Sequence, residues 1–395
     1  MRLFQPALRK TLGISSLILL SSVCVPAALA QTAPPPADPH ELVTKQPRTL
    51  SMPADRSAAI DLLERAREDF DLRGVQTPYT LKVGFSTNGT SLLEGEGTMD
   101  EASTGSEWRW VAQLQDSLII RIGTGGHTYG TDPNEPVPMR VQMLRAALHW
   151  PILRFPGQFV IRTKDVQRDG KSYSCLLLSA AVPLNPAPRT WYENEYCLDP
   201  ATGLLQTWSV APGIFAIYDY NGSTDFHGHT LPRQISVFEE GRLVLHAQVE
   251  IPEDAKELDP TLFKPTPQMA EAGGSYQLRA PERFPLRVDP SDAPTSTFFQ
   301  PVIVHAVLDA QDGRVLDAEA LQNTDPDLSR AALDIVQAAS FDPTGFQREV
   351  FINVQFHMPA LEEGGPPLLR VGGVRWVIAG SERRTQPRKL GPAGN

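Results

Sequence analysis

The chain has 395 residues, 41% of them hydrophobic, and a formal net charge of −10. That length allows two or three domains with real apolar cores. Such an acidic balance argues against nucleic-acid binding and against docking on anionic lipid.

The N-terminus opens with Arg2, Arg9 and Lys10 and carries no acid before Asp38. An apolar run from Leu12 to Val25 follows, closed by Pro26 and by Ala28 and Ala30 around Leu29. This is the pattern of a secretory signal peptide over 1–30, with cleavage expected after Ala30. Cleavage would remove three bases and no acid, taking the net charge to −13. The same uncharged stretch, 11–30, is long enough to span a bilayer if it is retained. The leader also contains Cys24, so two cysteines remain afterwards, Cys175 and Cys197. An even pair in an exported chain predicts one disulfide and an oxidising compartment.

Residues 31–54 are Pro-rich and read as an extended linker. A helix is predicted next, capped by Asp55, with Ala59, Leu62, Leu63, Ala66 and Phe70 on one face and an end at Gly74. From there the text is mainly β. Strand runs are expected at 79–87, 92–99, 107–114, 117–122, 158–166, 172–179, 191–198, 204–210, 215–220, 232–238 and 243–251. Turn dipeptides such as Asn88-Gly89 and Thr202-Gly203 punctuate them. One helix, 139–150, interrupts the series. Residues 55–265 thus predict a large antiparallel sheet domain with two helices.

A second linker, 266–298, precedes a compact block at 299–358. Val302, Val304, Ala306 and Leu308 alternate along a strand, Asp312-Gly313 turns it, and 314–321 returns. Asp325 and Pro326 start a helix with an apolar stripe from Leu328 to Ala339, and Phe341-Asp342-Pro343 ends it. Val350, Ile352, Val354 and Phe356 alternate along a third strand. The order is ββαβ, and the whole chain is of the α+β class. The tail, 359–395, is Gly-, Pro- and Arg-rich. It is expected to be flexible and basic, with a further strand near 371–379 as its one candidate element.

The hairpin at 302–317, the Asp-Pro-Asp-Leu-Ser-Arg-Ala-Ala-Leu run at 325–333, the Phe-Asp-Pro exit and the last strand together resemble the C-terminal domain of the TonB family. The Tyr-Pro that usually precedes that domain is absent. The resemblance implies a periplasmic module that binds an outer-membrane or other envelope protein by strand addition. The edge strand it implies carries Val350, Phe351, Ile352, Asn353, Val354, Gln355 and Phe356. With a retained leader it also implies the alternative of an inner-membrane-anchored energy transducer facing the periplasm.

In the central region, Leu198-Asp199, Thr202-Gly203-Leu204-Leu205 and Trp208 are followed by Tyr218, Tyr220, Asp225-Phe226 and Leu231-Pro232-Arg233. With the leading helix and the many consecutive strands, this resembles the half-barrel of the LolA and LppX lipoprotein carriers. The implied ligand is a lipid or acyl chain. Trp108, Trp110, Leu118, Ile120, Leu144, Leu148 and Trp150 either line an apolar cavity of that kind or pack an ordinary core.

Candidate catalytic and metal motifs are weak. His227-Gly228-His229 reads as a surface turn, Gly123-Thr124-Gly125-Gly126-His127 as a hairpin loop without the lysine of a phosphate loop, and Glu193, Glu195 and Asp199 as solvated edge charges. No nucleophile elbow or zinc-protease motif is present. The chain therefore reads as a non-enzymatic envelope binding protein with no cofactor and no metal.

Overall fold

The computed structural model describes residues 42–72, 75–130, 137–168, 170–180, 193–211, 213–239, 241–271, 302–309, 312–321, 326–339, 349–357 and 368–375. All of them belong to one unit spanning Asp38–Asn395. The expectations on the signal peptide, Gly74, the Asp325 cap and the Phe341-Asp342-Pro343 exit lie outside the described residues.

The elements run β1 (Leu42–Thr49), α1 (Pro53–Phe70), β2 (Tyr79–Thr87), β3 (Gly95–Ser103), β4 (Trp108–Leu114), β5 (Ser117–Thr124), β6 (His127–Gly130), α2 (Met139–His149), β7 (Val160–Arg168) and β8 (Lys171–Ser179). Then come β9 (Asn194–Leu198), β10 (Leu205–Ala211), β11 (Ile214–Asp219), β12 (Asp225–Phe226), β13 (His229–Thr230), β14 (Gln234–Glu239), β15 (Arg242–Val249), β16 (Glu253–Asp254) and β17 (Ala270–Glu271). The last group is β18 (Val302–Leu308), β19 (Val315–Ala320), α3 (Pro326–Gln337), β20 (Glu349–His357) and β21 (Leu368–Arg375).

Fifteen strands form one sheet, in the order β1-β7-β8-β9-β10-β11-β14-β15-β2-β3-β4-β5-β6-β17, with β16 also on β2. Its pairings are antiparallel and the order does not close into a barrel. Alternation decides which face is covered. In β2, Tyr79, Leu81, Val83 and Phe85 point to the core, and Met99 of β3 and Trp110, Ala112 and Leu114 of β4 join them. Both α1 and α2 pack on that inner face. α1 contributes Ala59, Leu63, Ala66 and Phe70 at helical spacing. It begins at Pro53, after Met52, so Asp55 sits in the first turn and does not cap it.

Two linker expectations need correction. Residues 42–49 of the first linker form β1, which pairs with β7 despite Pro47, as an edge strand tolerates. Ala270–Glu271 of the second linker pairs with β6.

The C-terminal block has the expected ββαβ order, and a fourth strand follows, giving β19-β18-β20-β21. The tail thus supplies β21, which pairs with β20 along its length. β20 lies between β18 and β21, so it is not the open edge that strand addition requires. The alternation that suggested a two-faced strand could not reveal whether a later segment would cover it.

Both faces of β18, inside this small sheet, are buried. Val302, Val304, Ala306 and Leu308 meet Ala332, Ile335 and Val336 of α3, along with Val350, Ile352 and Val354. Ile303 and Phe351, on the opposite face, join the core of the large sheet with Leu321. The two sheets therefore share a buried interface.

Candidate functional site

The inner face of the large sheet is filled by α2. Every residue of this helix except Gln142 is buried. A helix apolar all round is a core helix, yet this one also carries Arg140, Arg145 and His149. Each is buried and paired. Arg140 forms a bidentate pair with Glu239 of β14 and donates to the Thr90 carbonyl at 3.0 Å. Arg145 and His149 both pair with Glu101 of β3, at 3.1 and 2.8 Å. Tyr79 donates to the other oxygen of Glu101 at 3.1 Å, and Tyr218 donates to the Ala147 carbonyl at 3.1 Å.

The Arg145 guanidinium also lies over three indoles: Trp110 at 4.5 Å, Trp150 at 5.5 Å and Trp108 at 5.8 Å. Burial acts to raise the Glu101 pKa, but the charges and hydrogen bonds of His149 and Arg145 outweigh it and bring it down to about 2. Burial beside that carboxylate pushes the Tyr79 hydroxyl up.

Between α2 and the sheet lies an apolar pocket walled by Met143, Trp208, Val210, Ile214, Phe215, Ala216 and Val237. Its empty volume is about 240 Å3, counted with the solvent at its mouth. Trp208 is buried, and its Nε1–H has no hydrogen-bond partner among the described residues. Such an orphan donor calls for an explanation in a native core.

The residues singled out from sequence for a cavity are elsewhere. Trp110, Leu144 and Leu148 are core, Trp108 and Trp150 pack half-buried around Arg145, and Ile120 is half-buried. Leu118 is 48% exposed, since it alternates with the inward Ile119, and so it lines no cavity. The pocket falls on β10, β11, β14 and α2. The apolar alternation of those strands was visible, but not which of their side chains would leave space.

Cys175 and Cys197 form the expected disulfide, across the paired strands β8 and β9. Glu195 lies beside them, and this trio is the one cluster of three metal-type ligands among the described residues. Its sulfurs are consumed in the disulfide. Glu193 and Glu195 are not solvated edge charges: they are buried and paired with Arg162 at 3.0 Å and Lys164 at 2.7 Å. His227 and His229 lie at the β12–β13 turn with separate partners, Asp254 and the Glu68 carbonyl. Gly125 and Gly126 form the β5–β6 hairpin turn with positive φ.

No family model matches the sequence, and no curated protein matches it. Among solved structures, a LolA superfamily protein from Nitrosomonas europaea aligns with 52% of this chain and 96% of its own, at 14% identity and a TM-score of 0.34. A MucB crystal structure aligns with 79% of this chain and 83% of its own, at 14% identity and a TM-score of 0.26. A chain of the Pseudomonas aeruginosa MucA/MucB complex aligns over 75% and 80%, at 14% identity and 0.25. At these scores no ligand, partner or residue role transfers to this chain.

Proposed function

We propose that this is an exported, non-catalytic binding protein of the cell envelope that holds an apolar ligand of the acyl-chain class between α2 and strands β10, β11 and β14. The pocket carries this reading. Its walls are apolar side chains, as an acyl chain requires, and no polar surface opens into it. Its enclosed space is about 10 Å3, room for about one water and far below the roughly 300–1,000 Å3 of typical ligand sites. An acyl chain would therefore enter only if α2 yields, and on this reading the present arrangement is the closed one.

Export is supported by the leader pattern and by a cross-strand disulfide suited to an oxidising compartment. Among the described residues no helix is long and apolar enough to cross a membrane. Strand addition by a partner protein loses its expected edge, because β21 covers β20.

The test uses a fluorescent fatty acid whose absorption overlaps tryptophan emission. Energy transfer from Trp208 is expected on titration, and Ala216→Leu, which fills the slot, should abolish it. No transfer to wild type, or transfer untouched by Ala216→Leu, removes the basis of this reading. N-terminal sequencing of the mature protein should find Gln31 first, and an intact leader would instead favour a membrane-anchored form.

A further inference from the structure

α2 enters its helix without a cap of its own. Pro138 precedes Met139 and offers no side-chain acceptor, so the first backbone N–H groups need an outside partner. That partner comes from the C-terminal sheet, 210 residues away. Glu349, the first residue of β20, places Oε1 at 3.2 Å from the Met139 N–H, 3.0 Å from the Leu92 N–H and 3.2 Å from the Ser91 hydroxyl. A carboxylate there also complements the positive end of the helix dipole.

The other oxygen of Glu349 accepts from His305 Nε2 at 3.2 Å, and His305 Nδ1 reaches Glu239 Oε2 at 3.4 Å. Glu239 is the residue that pairs with Arg140 of α2. Four buried charged groups from four elements thus meet at the start of α2: Arg140 from α2, Glu239 from β14, His305 from β18 and Glu349 from β20. On the rim, Glu319 of β19 pairs with Arg242 and accepts from the Thr90 hydroxyl.

We propose that the C-terminal module is a latch on α2: Glu349 caps the helix, His305 ties that cap to Glu239, and detaching the module frees the helix that fills the ligand slot. The coupling is physical, because the same carboxylate terminates the helix and belongs to the other sheet. Losing it orphans the Met139 and Leu92 N–H groups together. Only the last step, opening of the slot to ligand, rests on the function proposed above.

The test is hydrogen exchange of the full chain, wild type against Glu349→Gln, which keeps the size and removes the charge. Peptides covering Met139–His149 should exchange about tenfold faster or more, while peptides from β7 and β8 stay unchanged. Glu349→Asp, which draws the charge back by one methylene, is the second variant and should show the same pattern if Glu349→Gln does not fold. Unchanged α2 exchange in a folded variant overturns the latch. An equal rise in every segment also overturns it, since Glu349 would then serve general stability alone. Faster α2 exchange without improved uptake of the fluorescent fatty acid leaves the helix cap standing and overturns the last step, opening of the slot to ligand.

Discussion

Glu239, Glu349 and His305 keep their charges inside the protein because each finds an opposite charge there. Burial acts to raise the Glu239 pKa, but Arg140 and His305 outweigh it and bring it to about 2. Burial likewise acts against Glu349, and the His305 hydrogen bond and charge turn the shift downward. For His305, burial acts to lower the pKa, and Glu239 and Glu349 reverse that, so it ends raised above 6.5. The signs then set a window. The two carboxylates contribute stability above their ordinary 4.5 and lose it as the pH falls through their depressed values. The histidine contributes below 6.5 and loses its contribution as the pH rises through its raised value. Chemical denaturation across pH should therefore show this cluster's stabilisation greatest between about 4.5 and 6.5, declining on both sides. His305→Gln should flatten the alkaline decline. Removing one partner of a buried pair is costly, so Glu101→Gln, which strands Arg145 and His149, should lower unfolding free energy by ~3–5 kcal/mol in urea titration. None of these groups was legible in the sequence. Charged letters on strands read as solvated, and only the fold shows that Glu193, Glu195 and Glu239 are buried and paired.

At the scale of elements, local patterns carried much further. The periodicity of Ala59, Leu63, Ala66 and Phe70 placed α1, and Thr202-Gly203 placed a turn that the structure makes with positive φ at the glycine, whereas Asn88-Gly89 opens a seven-residue loop, 88–94, between β2 and β3 in place of a tight hairpin turn. β1 was missed because its text is polar and contains Pro47; its pairing with β7 supplies the hydrogen bonds that make it a strand. The disulfide joins β8 and β9 across 22 residues of sequence. Replacing both Cys175 and Cys197 by Ser should cost ~3 kcal/mol in the loop-entropy account, read as a lower denaturant midpoint. Gly123 of β5 makes a second check. A Cβ there would lie 2.1 Å from the Trp108 ring, so Gly123→Ala should displace that indole from Arg145. The expected cost is ~1–3 kcal/mol, with a change in tryptophan emission.

Over the whole molecule, two sheets share one buried interface through Ile303, Phe351 and the charged cluster. Calorimetry should show a single cooperative transition for wild type and two resolved transitions for Glu349→Gln. A single unshifted peak in the variant would argue that the apolar contacts alone couple the sheets. By itself the sequence determined most of the element types, the antiparallel α+β class, the ββαβ order and the cysteine pair. These depend on periodicities of two and 3.6, on turn residues and on counting, all of which are local. Only the tertiary structure decided the rest: that β21 closes the edge of β20, that a pocket forms beside Trp208, and that a glutamate 210 residues away caps α2. Those outcomes depend on which distant groups become neighbours, and in this chain the decisive neighbours are charges that a local reading places in water.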